Sequence, residues 1–280
     1  MTVPRAFILG HPVAHSRSPM LHGHWLRTLG LPGAYDFQDV APAGLAAFFA
    51  GMAAQGYVGG NVTVPHKVAA MVHMSQLDEA ARAIGAVNTI WTEAGAVVGG
   101  NTDAAGFLAN LDERAPGWDG RGWDGADDAV VLGAGGAARA VAYGLLQRGL
   151  GVQLVNRTMA NAAALAAHLG PRVTAHGPAS LAALLPRCGL LVNTTSLGMA
   201  GQPLAIDLAP LRPGAVVCDI VYVPLETPLL QDAAARGHRT VDGLGMLLHQ
   251  AVPGFAHWFG VTPTVTRELR ELVMADICSV

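Results

Sequence analysis

Apolar residues recur along this chain with two alternating periods. The run RAFILG (5–10) is almost wholly apolar and predicts a buried strand, and AYDFQDV (34–40) alternates as a half-buried strand does. Ser18-Pro19 reads as an N-cap followed by proline at the first helical position, opening a helix to about Leu29. Pro42 predicts a helix to about Gln55, GGNVTV (59–64) a strand, and Pro65 another helix. AVNTIWT and AVVGGN flank Glu93-Ala94-Gly95 as a hairpin over 86–101. From residue 129 the rhythm is regular: strand 129–133, helix 136–149, strand 152–156, helix 159–169, strand 189–193, then strands 215–219 and 238–241. Such βα repeats with short connections predict a parallel, doubly wound sheet. The segment PGWDGRGWDGADD (116–128) reads as an exposed connection, and the tail 244–275 as helix interrupted at Pro253 and Pro263.

Composition narrows the classes. Hydrophobic residues are 51% of 280 and charged residues 13%, enough for large cores and unlike a disordered chain. A net charge of −3 without a basic block argues against nucleic acid as a partner. The mean hydropathy of +0.37 comes from Ala/Gly-rich stretches broken by Gln55, Arg139 and Gln147, so no membrane span is expected. The run AFILG is too short for a signal-peptide core. Cys188, Cys218 and Cys278 are too dispersed for a disulfide framework or a zinc cluster, and His11, His15, His22 and His24 match no metal-ligand spacing. The expectation is a cytoplasmic α/β protein without a metal, a monomer or homodimer.

AVVLGAGGAA (129–138) carries Gly133, Gly135 and Ala138 in the G-x-G-x-x-G/A spacing of a dinucleotide-binding turn. The first glycine permits the turn, the second lets backbone approach a pyrophosphate, and the small third residue allows close helix–strand packing. The following helix points its free N–H groups at the phosphates. The next strand ends in Asn156-Arg157-Thr158, where an NAD enzyme usually carries an acid for the ribose 2′-hydroxyl. A guanidinium and hydroxyls there suit a 2′-phosphate, so the expected cofactor is NADP. VNTTSLGM (192–199) and DIVYVP (219–224) follow two further strands; Thr194, Thr195 and Ser196 either line the nicotinamide or only satisfy turn backbone.

More than a hundred residues precede this motif, and they hold polar clusters at strand ends: HSRSP, NVTVPHK, VNT and GGNTD. Ser16, Ser18, Asn61, Thr63, Lys67, Asn88 and Asp103 form a set suited to a small ligand rich in hydroxyls and bearing one acidic group. His66 beside Lys67 is assigned no role. In order along the chain, GHPVAHSRSPMLH, GGNVTVPHK, GAVNTI, GGNTDAAGF, VLGAGGAARA, NRT, NTTSLGM and DGLGMLLHQ resemble the shikimate dehydrogenase family. The resemblance implies reduction of 3-dehydroshikimate to shikimate by NADPH. It implies two domains: 1–106, completed by the returning helices 244–280, for substrate, and 107–243, a Rossmann-type doubly wound sheet, for NADP. The family's substrate positions fall on Ser16, Ser18, Thr63, Lys67, Asn88, Asp103, Tyr222 and Gln250, and its catalytic pair on Lys67 and Asp103. Its cofactor positions fall on Gly133, Ala134, Gly135, Gly136, Ala137, Asn156, Arg157, Thr158, Thr194 and Gly243. Two departures stand out: Gly23 follows His22 where the family often has asparagine, and Asn161 replaces a basic residue, leaving one charge fewer for the 2′-phosphate.

In ketone reduction an oxygen gains negative charge as hydride arrives. Lysine is protonated at neutral pH and can quench that charge, and a neighbouring aspartate would favour and orient the ammonium. Read alone, Lys67 is a surface lysine in a helix's first turn and Asp103 an N-cap. Three rivals remain: a quinate/shikimate dehydrogenase preferring NAD, a tetrahydrofolate-type dehydrogenase of related architecture, and a non-catalytic ligand sensor of the same fold, which would need neither Lys67 nor Asp103. Helical crossings at 104–114 and 244–250 would make a hinge and a cleft.

Overall fold

Strand β1 (Arg5–Gly10) explains the first sheet, because every residue after Arg5 is buried. Phe7 and Leu9 feed a core with Leu45, Phe48, Met52, Tyr57, Val62 and Ile90, while Ala6 and Ile8 face Val13, Tyr35 and Trp258 on the opposite side. A strand covered on both faces needs no polar alternation, which is why RAFILG reads as one apolar run. The computed structural model describes residues 3–119, 128–200 and 204–278. Around β1 lie β2 (Ala34–Asp39), β3 (Tyr57–Val62), β4 (Gln76–Leu77), β5 (Thr89–Glu93) and β6 (Ala96–Gly100) in the order β2-β1-β3-β5-β6-β4. β2, β1 and β3 are parallel, and β5 runs antiparallel to β3 and β6. The β5–β6 hairpin turns at Ala94 and Gly95, with φ of 49° and 82°, the left-handed pair that suits a two-residue turn.

Helices of this unit depart from the proline signals. α1 (Ser18–Thr28) begins on Ser18 itself, so Ser18 is not the N-cap; Arg17 holds that place, and the Ser16 hydroxyl accepts the Ser18 N–H at 3.3 Å. After Pro42 a short 3-10 turn leads into α2 (Leu45–Gly51), which ends before the expected Gln55. Pro65 opens no helix: the His66 N–H closes a turn on the Thr63 carbonyl at 2.9 Å, and only a 3-10 stretch, Ala69–His73, follows. α3 (Glu79–Ile84) is capped by Asp78, whose carboxylate accepts the Ala81 N–H at 2.6 Å.

The second sheet comes from β7 (Asp128–Leu132), β8 (Gly151–Val155), β9 (Val173–His176), β10 (Leu190–Asn193), β12 (Val216–Asp219) and β13 (Arg239–Val241); β11 (Leu197–Ala200) stands outside it. Its order β13-β12-β10-β7-β8-β9 is all parallel and reverses direction at β7, the doubly wound Rossmann order. Alternate residues again feed two cores. Ala129, Val131, Leu190, Val192, Val216 and Cys218 face one, and Val130, Leu132, Leu191 and Val217 the other. The helices are α4 (Asp103–Arg114), α5 (Gly136–Gln147), α6 (Met159–Leu169), α7 (Leu181–Leu184) and α8 (Pro228–Ala235). Trp118 is fully buried, contrary to the exposed connection expected over 116–128; its indole donates to Asp112 at 2.9 Å, and Arg148 lies over its ring. Residues 120–127 of that connection lie outside the described residues.

The tail forms α9 (Leu244–Phe259) and α10 (Arg267–Cys278). α9 passes through Pro253 without interruption, because Leu248, Ala251, Phe255 and Trp258 bury its face and outweigh one missing backbone donor. The contacts divide the chain into two units: Met1–Thr102 with Gln250–Asp276, and Asp103–His249 with Ile277–Val280. Among the described residues no helix is long and apolar enough to cross a membrane.

His22, fully buried on α1, has a measurable consequence. It stacks on Tyr35 with ring centroids 4.2 Å apart and packs against Trp25, Phe255 and Trp258. Neither ring nitrogen reaches a hydrogen-bond partner. Burial pushes its pKa down to about 3, and the neighbouring Asn61 amide offsets little of this. The unfolded chain therefore binds a proton near pH 6.5 that the folded chain refuses, so stability falls as pH drops below that value and levels off near 3. The slope is at most about 1.4 kcal/mol per pH unit. Urea unfolding between pH 7 and 4 should show this loss in the wild type and a shallower one in His22→Phe; equal slopes would contradict it.

Candidate active site

In the first unit, hydroxyl and amide side chains form two hydrogen-bonded groups. The Ser16 hydroxyl donates to that of Ser18 at 3.2 Å, at the start of α1. Burial raises the Tyr35 phenol well above the usual range, with the nearby Ser18 pulling it back, and the Tyr35 hydroxyl donates to Asn61 at 2.6 Å. The Asn61 amide donates to the Asn88 carbonyl at 3.1 Å and the Thr89 hydroxyl at 3.2 Å. Asn88 is the hub: its Oδ1 accepts the Thr102 N–H at 2.8 Å and the Thr89 hydroxyl at 2.9 Å, and its Nδ2 donates to Gln250 at 3.2 Å. Ser18, Asn61, Asn88, Thr89 and Gln250 are buried, so these bonds satisfy groups that water does not reach.

The turn 63–67 sits beside this network. The Thr63 N–H donates to the Leu9 carbonyl at 2.8 Å, and the Lys67 carbonyl accepts the Val87 N–H at 2.8 Å, one residue before Asn88. His66, left without a role by the sequence, is buried and bonds through Nε2 to the Val40 carbonyl at 2.6 Å. It thereby fixes the turn that carries half-buried Lys67. Asp103 is buried and is the first residue of α4, not the N-cap before it; it follows Thr102 directly in the chain. Arg17, between the two serines, turns instead to Asp276 at 2.9 Å.

In the second unit the glycine motif stands at the carboxyl end of β7. Gly133 has φ +111°, and a Cβ there would lie 2.7 Å from the Thr194 hydroxyl, so only glycine makes this turn. Its N–H donates to the Val155 carbonyl at 2.8 Å, at the end of β8. Thr194 donates to the Leu132 carbonyl through its N–H at 2.9 Å and its hydroxyl at 2.6 Å, so it does satisfy turn backbone. Ala134 packs partly into the core, Gly135 and Gly136 are exposed, Ala137 is half-buried, and α5 starts at Gly136 behind an N-cap glycine without a capping side chain. Those free N–H groups fit a pyrophosphate. Asn156 donates to the Thr158 carbonyl at 2.8 Å; Arg157 and Thr158 are exposed, and the Thr158 hydroxyl makes no capping bond to α6 although it occupies the N-cap. Tyr222 is half-buried in the loop after β12, and Gly243 presses against the Ile220 carbonyl.

The structure thus pairs Ser16 with Ser18 and joins Asn88 to Gln250, with Thr63 and Lys67 on the turn bonded next to Asn88. Tyr35, Thr89 and Thr102 were missed as members; Thr89 and Thr102 lie inside the VNT and GGNTD clusters, while nothing in β2 distinguishes Tyr35 from a core aromatic. Among the described residues no group of three or more His, Cys, Asp or Glu is placed to hold a metal ion.

Residues 8–90 match the model of the shikimate dehydrogenase substrate binding domain. A shikimate dehydrogenase (NADP(+)) of Azorhizobium caulinodans is 59% identical over 98% of this chain and 97% of its own. Among solved structures, shikimate 5-dehydrogenase of Thermus thermophilus in complex with NADP(H) and shikimate has a TM-score of 0.85 at 36% identity, covering 98% and 99% of the two chains. Quinate dehydrogenase of Corynebacterium glutamicum in complex with NAD has a TM-score of 0.88 at 30% identity, over the same shares.

Proposed function

Because the chain belongs to the shikimate dehydrogenase family, we propose that it interconverts 3-dehydroshikimate and shikimate in aromatic amino-acid biosynthesis, in the cytoplasm. It is an NADP-dependent oxidoreductase. The observation that carries the reading is the bonded set Tyr35, Asn61, Asn88 and Gln250 with the Ser16–Ser18 pair in the same unit, hydroxyls and amides matched to a polyhydroxylated ring acid. Residues 1–106 with 244–280 are taken as the substrate part and 107–243 as the NADP part.

Ser16 and Ser18, at the first turn of α1, take the carboxylate, which a helix N-terminus favours. Thr63, Asn88, Tyr222 and Gln250 hold the ring hydroxyls, and shared bonds between their neighbours leave few rotamers to freeze on binding. NADPH supplies the hydride when bound. Lys67 gives a proton to the substrate oxygen as charge grows there, and takes one back in oxidation; Asp103 orients the ammonium. Gly133, Ala134, Gly135, Gly136 and Ala137 cradle the pyrophosphate, and Thr194 and Gly243 support the loops that flank the nicotinamide.

Asn156, Arg157 and Thr158 take the 2′-phosphate. The exposed guanidinium and uncommitted Thr158 hydroxyl support NADP over NAD, since no acid stands there to repel a phosphate. Arg157→Ala should raise the KM for NADPH by about tenfold or more and leave that for NADH nearly unchanged, the loss of one charge-assisted contact. Equal effects on the two cofactors, measured at saturating 3-dehydroshikimate, would overturn the assignment.

A further inference from the structure

The NADP unit contains a buried polar cluster that the proton chemistry does not use. Asp219, the last residue of β12, is fully buried. Its Oδ1 accepts the Asn193 amide at 2.9 Å and the Val221 N–H at 3.0 Å, and its Oδ2 accepts the Thr227 hydroxyl at 2.8 Å. Asn193 closes β10 and sits in register with Asp219. Its amide oxygen in turn accepts the Thr195 N–H at 3.0 Å and the Thr195 hydroxyl at 2.8 Å. Burial pushes the Asp219 carboxyl up, and its bonds to Val221, Thr227 and Asn193 pull it back.

A carboxylate is a costly way to fill a buried position, and a sheet end needs only packing. What this one connects is specific. The bond to the Val221 N–H fixes the backbone one residue before Tyr222. The bond to Asn193 reaches, through one amide, the loop of Thr194 and Thr195. Gly243 closes on the same β12 loop, where any Cβ would strike the Ile220 carbonyl.

We propose that Asp219 is a positioning residue that holds the Tyr222 loop and the Thr194–Thr195 loop in one fixed relation, so that substrate-side and cofactor-side groups are set together. This rests on the reading of Tyr222 as substrate-facing and Thr194 as cofactor-facing, and adds the group that couples them. Asn193 transmits the constraint between the two strand ends.

The test is a set of single and double variants read as separate KM values. Tyr222→Phe should raise the KM for shikimate alone, and Thr194→Val that for NADP+ alone. Asp219→Asn keeps the shape but turns one acceptor into a donor; it should raise both KM values, by about tenfold each for a displacement well under an ångström. In the Asp219→Asn background Tyr222→Phe should add little further, since its hydroxyl is already misplaced. Unchanged KM values in Asp219→Asn, or full additivity in the double variant, would overturn the proposal. If Asp219→Asn loses its cooperative thermal transition, Thr195→Val, which removes one of the two bonds at the outer end of the same relay, should show a smaller rise for both ligands; no rise would overturn it. Unchanged KM values in both Tyr222→Phe and Thr194→Val would remove the underlying reading and the coupling with it, a result distinct from additivity.

Discussion

Replacing Lys67 with alanine is expected to lower kcat by roughly 10²–10⁴-fold while shikimate still binds, the usual cost of removing a positioned acid–base group. The side chain is half-buried on a turn, not in a core, so its loss removes chemistry and leaves the fold. The turn keeps its shape without it, since it hangs on backbone and on His66: the His66 ring is bonded to the Val40 carbonyl, and the Lys67 carbonyl to the Val87 N–H. The measurement pairs steady-state turnover in both directions with equilibrium dialysis of shikimate. Turnover near that of the wild type would refute the proton role, and lost turnover with lost binding would make Lys67 a binding group only.

Asn88→Ala should be the most damaging change among the substrate-side residues that carry no charge. It would take the acceptor from the half-buried Thr102 N–H and remove one bond each from the Thr89 hydroxyl, which keeps Asn61 and Thr102, and from the Gln250 amide oxygen, which keeps the Thr102 hydroxyl. One donor left without its acceptor costs about 1–3 kcal/mol, so a loss of about that size is expected. Conservative change cannot rescue it fully, because Asn88 both accepts and donates; Asn88→Asp would restore the acceptor and face Gln250 with a second oxygen. Urea unfolding should show a lower midpoint at unchanged slope, with the KM for shikimate raised in parallel. An unchanged midpoint would mean that the network does not hold this unit together.

How far these properties were legible depends on whether a signal is local. Strands buried on both faces announce themselves, so β1, β7, β10 and β12 stand in the sequence almost as they stand in the sheets. The glycine turn is equally local: Gly133 must adopt a positive φ, and the spacing to Ala138 records the packing behind it. Proline misled where tertiary contacts decided. Pro65 sits in a turn tied to Thr63 and His66, and Pro253 sits inside a helix whose apolar face is buried. The burial of Trp118 has no local signature, because glycines and aspartates surround it in the chain, while its partners Asp112 and Arg148 lie on separate helices or at their ends. The short strands β4 and β9 carry too few residues to show a period.

The site shows the same division. Ser16, Ser18, Asn88 and Gln250 are legible from motif and resemblance, and the structure pairs Ser16 with Ser18 and Asn88 with Gln250, the second pair drawn from distant segments. Tyr35 and His66 are invisible as functional supports until the fold places them, since an aromatic in a strand and a histidine in a loop have many ordinary uses. Asp219 is hidden for a similar reason: an aspartate at a strand end reads as a turn residue, and only its burial and its three bonds distinguish it.

The central claim is that this chain oxidises shikimate with NADP+. Initial rates with shikimate and with quinate, each against NADP+ and against NAD+, test it directly on the purified protein. The account predicts the highest kcat/KM for shikimate with NADP+; a higher value for quinate with NAD+, or no turnover with any of the four pairs, would contradict it.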